Sequence, residues 1–362
     1  MTKRMYNFNP GPAALPIGVL EQAQEEFVTY NQLGISLLEM SHRSKQVEEL
    51  NEETQQLLLE IIGLRNGYKV LFMGGGASTQ FALIPLNFLT PNTVANYILS
   101  GNFSEKAYNE AQYIGEAHIA SSSKDQKWMN IPSHRDLVLT DRAAYVHMTT
   151  NNTIEGSRFK DIPDVGSIPL IGDMTSDILS RQLDYQKFAM VYAGAQKNLG
   201  PAGVTTVIIR EDMLDRARRD IPVILRYETF AKEKSLYNTP PVHSIYMMNL
   251  VLRWVIEQGG VGALEKRNAE KAELIYQTID ASNGFYRGIV NQADRSDMNI
   301  TWKMTSQELE QQFVKESVFN GFEGLAGHRS VGGLRASAYN AVPIEACNAL
   351  VDFMVEFQRR YG

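Results

Sequence analysis

Two ionisable residues stand at the ends of apolar runs, where open α/β sheets bind their ligands. Lys197 lies in Gly194-Ala195-Gln196-Lys197-Asn198-Leu199-Gly200-Pro201-Ala202-Gly203, directly after the apolar run 188–193. A desolvated lysine has a lowered pKa, and its neutral amine can attack a carbonyl to form a Schiff base. The bland reading is a surface-loop lysine. Asp173 follows the run 168–171 and Gly172. It suits either a helix N-cap or a carboxylate that keeps a ring nitrogen protonated. Gly74-Gly75-Gly76-Ala77-Ser78-Thr79-Gln80 follows the run 69–73. Glycines let the backbone approach an anion, and free N–H groups at a helix start favour negative charge. An ordinary tight strand-to-helix turn would use the same letters.

Cations form a fourth group. Ser41-His42-Arg43-Ser44 and His328-Arg329-Ser330 repeat a His-Arg pair, and Arg335 lies six residues beyond Arg329. Guanidinium forks match carboxylates and phosphates bidentately. One pair alone would read as a solvated contact; two pairs with Arg335 read as an anion pocket.

Other chemistries lack their motifs. Thr79 stands where a dinucleotide fingerprint needs its last glycine, and there is no G-x-x-x-x-G-K-[ST], G-x-S-x-G or H-E-x-x-H. The six histidines are scattered without metal-ligand spacing, so no metal is expected.

The elements that position these groups alternate along the chain. Apolar runs of strand length occur at 69–73, 94–99, 143–148, 168–171, 188–193 and 204–209. Helical patterns separate several of them, which predicts a mainly parallel sheet covered on both faces. Leu20, Ala23 and Phe27 after Pro16 predict a first helix, and Val47, Leu50, Leu57, Leu58 and Ile61 a second. Residues 70–104 contain no charged side chain, yet glycines, prolines and polar residues break them up. They read as a buried segment with partnered polar atoms, not a membrane span. Gly259-Gly260-Val261-Gly262 follows a helix at 244–257 and precedes a long helix, short strands and a final amphipathic helix at 344–357. The expected organisation is an arm at 1–15, a large domain at 16–260 and a small α+β domain at 261–362.

Composition sets the outer limits. The 362 residues are 44% hydrophobic and 21% charged, with a formal net charge of −6. A chain of this length buries roughly three-quarters of its unfolded surface. Charges of both signs are mixed, which argues against nucleic acid or membrane as a partner. Lys3 and Arg4 are followed by no apolar stretch, so no secretory signal is expected. The single cysteine, Cys347, has no disulfide partner and fits a reducing cytosol.

Several motifs together carry a family resemblance that runs nearly end to end. They are Phe8-Asn9-Pro10-Gly11-Pro12-Ala13, Ser41-His42-Arg43, the glycine turn, Ala193-Gly194-Ala195-Gln196-Lys197-Asn198, Asn238-Thr239-Pro240-Pro241 and Gly327-His328-Arg329-Ser330-Val331-Gly332-Gly333-Leu334-Arg335-Ala336-Ser337. The chain resembles the class V aminotransferases of fold type I, in particular those acting on phosphoserine. That resemblance implies pyridoxal 5′-phosphate bound covalently by Lys197, which then shuttles the substrate proton, with Asp173 on the pyridine nitrogen. It implies phosphate contacts from Ala77, Ser78 and Gln196, and a contact of Thr153 with the ring's hydroxyl side. Asn238 and Thr239, with His42 and Arg43, would reach the site of a partner subunit in a homodimer. Phe103 occupies the ring-stacking position, where relatives often carry Trp; it keeps the π face but offers less surface.

The implied reaction exchanges an amino group between L-glutamate and 3-phosphohydroxypyruvate, giving O-phospho-L-serine and 2-oxoglutarate for serine biosynthesis in the cytoplasm. Relatives often also act on the phosphohydroxythreonine precursor of vitamin B6. His42, Arg43, His328 and Arg329 would grip the distal anion and Arg335 the α-carboxylate. An alanine– or serine–glyoxylate enzyme of the same class would leave the His-Arg pairs unexplained. A cysteine desulfurase is disfavoured because Cys347 falls in a helix pattern. From a different class, a non-catalytic phosphate or nucleotide binder is distinguished by colour, because a lysine aldimine absorbs near the visible and a plain phosphate binder does not.

Overall fold

Alternating side chains decide the central layer. In the strand Tyr68–Met73, Val70 and Phe72 enter one hydrophobic cluster while Leu71 and Met73 enter another. The strand Met190–Gly194 divides the same way, with Val191 and Ala193 against Met190 and Tyr192. Successive residues of a strand face opposite sides, so both faces of this sheet are buried. These are features of a computed structural model that describes residues 4–133, 135 and 137–362. Lys3, counted above among the N-terminal charges, lies outside the described residues.

The sheet has seven strands in the spatial order Tyr68–Met73, Thr205–Arg210, Met190–Gly194, Leu170–Asp173, Ala143–Thr149, Val94–Leu99, Ala117–Ser122. Thr205–Arg210 runs antiparallel to both neighbours; every other adjacent pair is parallel. The mainly parallel α/β sheet expected from the sequence is therefore present, and the predicted strands lie within two residues of those observed. The edge strand Ala117–Ser122 was not predicted. Ala-His-Ile-Ala-Ser-Ser is not an apolar run, and at an edge Ile119 stays 40% exposed.

The uncharged stretch 70–104 is largely buried, and several of its polar side chains have partners, though Asn102 Oδ1 has none. Gln80 accepts the Tyr227 hydroxyl at 2.7 Å, Asn87 donates to two carbonyls, and Asn96 pairs with Thr140. Among the described residues, no helix is long and apolar enough to cross a membrane. The first helix, Ile17–Glu25, is shorter than expected. It buries Val19 and Ala23, and Phe27 falls beyond its end, 52% exposed. The helices Lys45–Ile61 and Val242–Glu257 form where the spacing placed them.

Gly259 adopts a left-handed conformation (φ 91°) between two helices, and Gly260 opens the helix Gly260–Asp280. That helix and Ile344–Tyr361 pack over a three-stranded antiparallel sheet of Tyr286–Gly288, Asn299–Met304 and Leu334–Ser337. The core between them contains Ile275, Trp302, Phe313, Leu350 and Phe357, and also Phe8 from the N-terminal segment. Tyr6 and Asn7 pair with Phe322 and Glu323, so the segment from Tyr6 to Ala14 is woven into the C-terminal core. Lys271 donates to the carbonyls of Ala338, Tyr339 and Val342. Three ammonium donors meet three acceptors, which pins the chain just beyond Arg335.

Candidate active site

Several strands of the large sheet end together beside one cavity of about 260 Å³. It is lined by Lys197, Asp173, Thr153, Gln196, Phe103, Ala77, Ser78, His328 and Arg335, among others. Nine of the residues singled out in the sequence thus converge from positions up to 258 residues apart.

The turn holding Lys197 is fixed on both sides. Gln196 O accepts the Ala13 amide, the Asn198 amide side chain donates to Ile178 O, and Asn198 Oδ1 accepts the Asn340 amide. Lys197 is 8% exposed. Burial lowers its pKa to about 8, against the opposing pull of Asp173 and with a further push from Arg335. The surface-loop reading therefore fails. Its Nζ donates to Thr153 Oγ1 and sits 5.9 Å from the centre of the Phe103 ring. Gly11 comes so close that an added Cβ would lie 3.4 Å from Lys197 Cγ.

Asp173 ends its strand beside Thr149 and Tyr192. It is 4% exposed, and its Oδ1 accepts the Thr175 amide at 3.0 Å. Burial pushes its pKa up, opposed by the hydrogen bonds from Thr175 and by the charge of Lys197. The cap-like bond and a place on the cavity wall coexist in this carboxylate.

The helix Gly76–Phe88 begins at the cavity with Gly76, Ala77 and Ser78 on its wall. Gly75 before it has φ 89°, and a Cβ there would collide with Thr79 Oγ1 at 2.0 Å. Arg335 enters from the smaller sheet, 5% exposed, and donates to Thr153 O at 3.0 Å. Its Nε is buried without a partner. Burial lowers the pKa of Arg335, and burial with nearby Arg335, Arg329 and Lys106 lowers that of His328.

His42, Arg43, Asn238, Thr239 and Arg329 do not line this cavity. Four of them form a second locality: Thr239 Oγ1 lies 3.2 Å from His42 Nδ1, joining the segment of Asn238 to that of Arg43. Arg329 is exposed in the turn after His328. Within one chain, then, the two His-Arg pairs do not share a pocket.

Pro10 and Gly11, quoted above only as part of a motif, also lie on the wall, and Thr149, Asn151, Thr175 and Ser176 were not singled out from the sequence. Asn151 Nδ2 donates to Ser176 Oγ and to Asn299 Oδ1, tying two strand ends to the smaller sheet. The available signal was the polar run Thr149-Thr150-Asn151-Asn152-Thr153 directly after an apolar strand.

A strand-end lysine facing a buried carboxylate, below a helix start and an aromatic ring, fits an aromatic aldehyde phosphate. The unpartnered Arg335 Nε adds a donor suited to a carboxylate. The aminotransferase class-V profile matches residues 5–350, and the chain belongs to that family. It is 56% identical over 362 residues to the phosphoserine aminotransferase of Niallia circulans, with all of both chains covered. The solved phosphoserine aminotransferase from Bacillus circulans subsp. alkalophilus superposes with a TM-score of 0.98 at 56% identity, covering 99% of each chain. A phosphoserine aminotransferase from Trichomonas vaginalis, solved with PLP bound, gives a TM-score of 0.93 at 36% identity, covering 97% of this chain and 100% of that one.

Proposed function

We propose that this chain is a phosphoserine transaminase. It exchanges an amino group between L-glutamate and 3-phosphohydroxypyruvate, giving 2-oxoglutarate and O-phospho-L-serine, with pyridoxal 5′-phosphate as cofactor. The observation that carries this reading is the convergence of buried Lys197, Asp173 and Arg335 on one cavity in a chain of this family.

Bound pyridoxal phosphate supplies an electrophilic carbon and a ring that withdraws electrons from the substrate Cα. Lys197 would hold it covalently, and its amine would move the proton at the substrate Cα. Asp173 would hold the proton on the ring nitrogen. Phe103 would cover a ring face, Thr153 would meet the ring hydroxyl, and Ala77, Ser78 and Gln196 would bind the phosphate. Arg335 binds the α-carboxylate beside Thr153. We read residues 16–260 as the cofactor-binding domain and 261–362 as the domain that brings His328 and Arg335 to it, with 1–15 as an arm whose residues 6–13 touch both. The single thiol, Cys347, is buried and unpaired, which supports a cytoplasmic setting.

Selectivity tests the substrate. Charge-assisted bonds contribute roughly 1.5–3 kcal/mol each, about 10- to 150-fold in binding. Arg329→Leu and Arg43→Leu are expected to weaken phosphoserine and glutamate by such factors and to leave weak activity on alanine nearly unchanged. Alanine has no distal anion to lose. Arg335→Leu is expected to weaken all three alike in half-reactions followed by cofactor absorbance. An unchanged phosphoserine-to-alanine preference in every variant would remove the physical basis for phosphoserine.

The active unit in this reading is a homodimer with shared sites. Its support is an apolar surface near the His42 locality: Phe27, Val28, Leu33, Ile35 and Leu38 are all exposed. Asn238, Thr239, His42 and Arg43 would enter the partner's cavity. Lys197→Ala, inactive alone, and Arg43→Ala, weakened on phosphoserine, are then expected to exceed the sum of their separate phosphoserine activities when mixed and allowed to exchange subunits. One site of the mixed dimer carries both lesions and the other carries neither. No recovery after verified exchange would show that each site is built from one chain.

A further inference from the structure

Glu155 is a buried carboxylate with no role in the chemistry described so far. It is 4% exposed and lies two residues beyond Thr153. Its Oε1 accepts the backbone N–H of Asn102 at 2.8 Å, the first residue of the helix Asn102–Gln112. The next residue of that helix is Phe103, on the cavity wall. Backbone N–H groups in a helix's first turn have no partner within the helix and carry its positive end, so an anionic acceptor there is favourable.

The approach of the carboxylate is built into the neighbouring residues. A Cβ on Gly101 would lie 2.7 Å from Glu155 Oε2 and 2.6 Å from Asn152 Oδ1, so any side chain there would displace both groups. On its other side, Glu155 O accepts the Thr301 hydroxyl at 2.7 Å, and Thr301 pairs in register with Arg335. Gly156 is packed as tightly, with an added Cβ 2.5 Å from Thr301 Oγ1. Glu155 is therefore locked to the smaller sheet by its backbone and reaches the start of the Phe103 helix with its side chain.

We infer that Glu155 is a positioning residue that sets the height of the Phe103 ring over the cofactor by holding the Asn102 N–H. The inference rests on the proposed cofactor reading. Burial raises the pKa of Glu155 while the bond from Asn102 opposes the rise. Either protonation state keeps an acceptor oxygen for that N–H. The requirement is thus an acceptor at the right reach, and glutamine can meet it. Aspartate, one methylene shorter, cannot reach as far, and alanine offers nothing.

The test is the affinity of each apoprotein for pyridoxal phosphate, titrated by visible absorbance and by the circular dichroism of the bound ring. Glu155→Ala and Glu155→Asp are expected to weaken binding about 10-fold or more, the scale of one hydrogen bond to a charged group. Both are expected to reduce the dichroic band per bound cofactor. Glu155→Gln is expected to stay within about threefold of the unaltered protein, with the band retained. A role confined to stability would lower thermal midpoints and leave the band unchanged. If Glu155→Ala does not fold, Glu155→Asp against Glu155→Gln decides: weaker binding by the aspartate variant supports the inference, and equal or tighter binding overturns it. A glutamine variant as weak as the alanine variant also overturns it. Failure of the unaltered protein to take up pyridoxal phosphate would overturn the cofactor reading and this inference together, and it shows before any variant is compared.

Discussion

Lys197→Ala is expected to keep the fold and lose turnover by about 10⁴-fold or more, because the covalent link to the cofactor and the proton transfer at Cα are lost together. Borohydride reduction of the cofactor-loaded protein, followed by peptide mapping, is expected to label Lys197 alone. The chain offers an internal comparison. Lys271 is also buried, and burial lowers its pKa to about 8 as well. Its three donors are already spent on three carbonyls, and it does not line the cavity. Lys197 has one hydrogen bond to a side chain, to Thr153, and opens onto the cavity. Low pKa alone would not separate the two; the direction of the amine does. With a pKa of about 8, roughly a tenth of Lys197 is neutral at pH 7. Since only the neutral amine attacks, the rate of cofactor uptake is expected to rise through pH 8 and then level off. A label on Lys271, or an uptake rate flat from pH 6.5 to 9, would sink the assignment.

The parts of this site legible in the sequence were those whose signal is local. Lys197 and Asp173 each follow an apolar run, and a strand end is readable from a few letters. The glycine turn at 74–76 was readable for the same reason, since Gly75 takes a conformation that other residues adopt at a cost. What was not legible depends on pairing between distant segments. Phe8 in the C-terminal core requires the pairing of Tyr6 with Phe322, across more than 300 residues. Glu155 looks like an ordinary surface acid until Gly101 is placed against it. Phe27 fits a helical period, but the helix ends at Glu25 and the ring stays half-exposed, edge-on to His243. Ala117–Ser122 is a strand because Val94–Leu99 offers it a free edge, and its own residues do not announce it. Arg335 could be picked out as a cation, yet its arrival beside Thr153 is a consequence of how the smaller sheet packs.

Asp173→Asn is expected to lower kcat at least about 100-fold while the protein still takes up the cofactor, the scale of removing one buried electrostatic stabiliser. The choice of asparagine matters because Asp173 has two structural readings. Its Oδ1 accepts the Thr175 amide, and an asparagine oxygen keeps that bond. If the residue were only a cap, the variant would retain nearly normal kcat. The catalytic reading requires the charge. A neutral amide beside the ring nitrogen no longer favours its protonation, and electron withdrawal from Cα weakens accordingly. The site supports the charge in spite of burial: the hydrogen bonds from Thr175 and the nearby Lys197 both favour the ionised form. Because burial raises the carboxyl pKa, the charge is lost on acidification earlier than from an exposed aspartate. The acid limb of kcat in the unaltered enzyme is therefore expected to include this titration, and the limb is expected to flatten in Asp173→Asn. Near-normal kcat in that variant would leave Asp173 as a cap, and the ring nitrogen would need another partner.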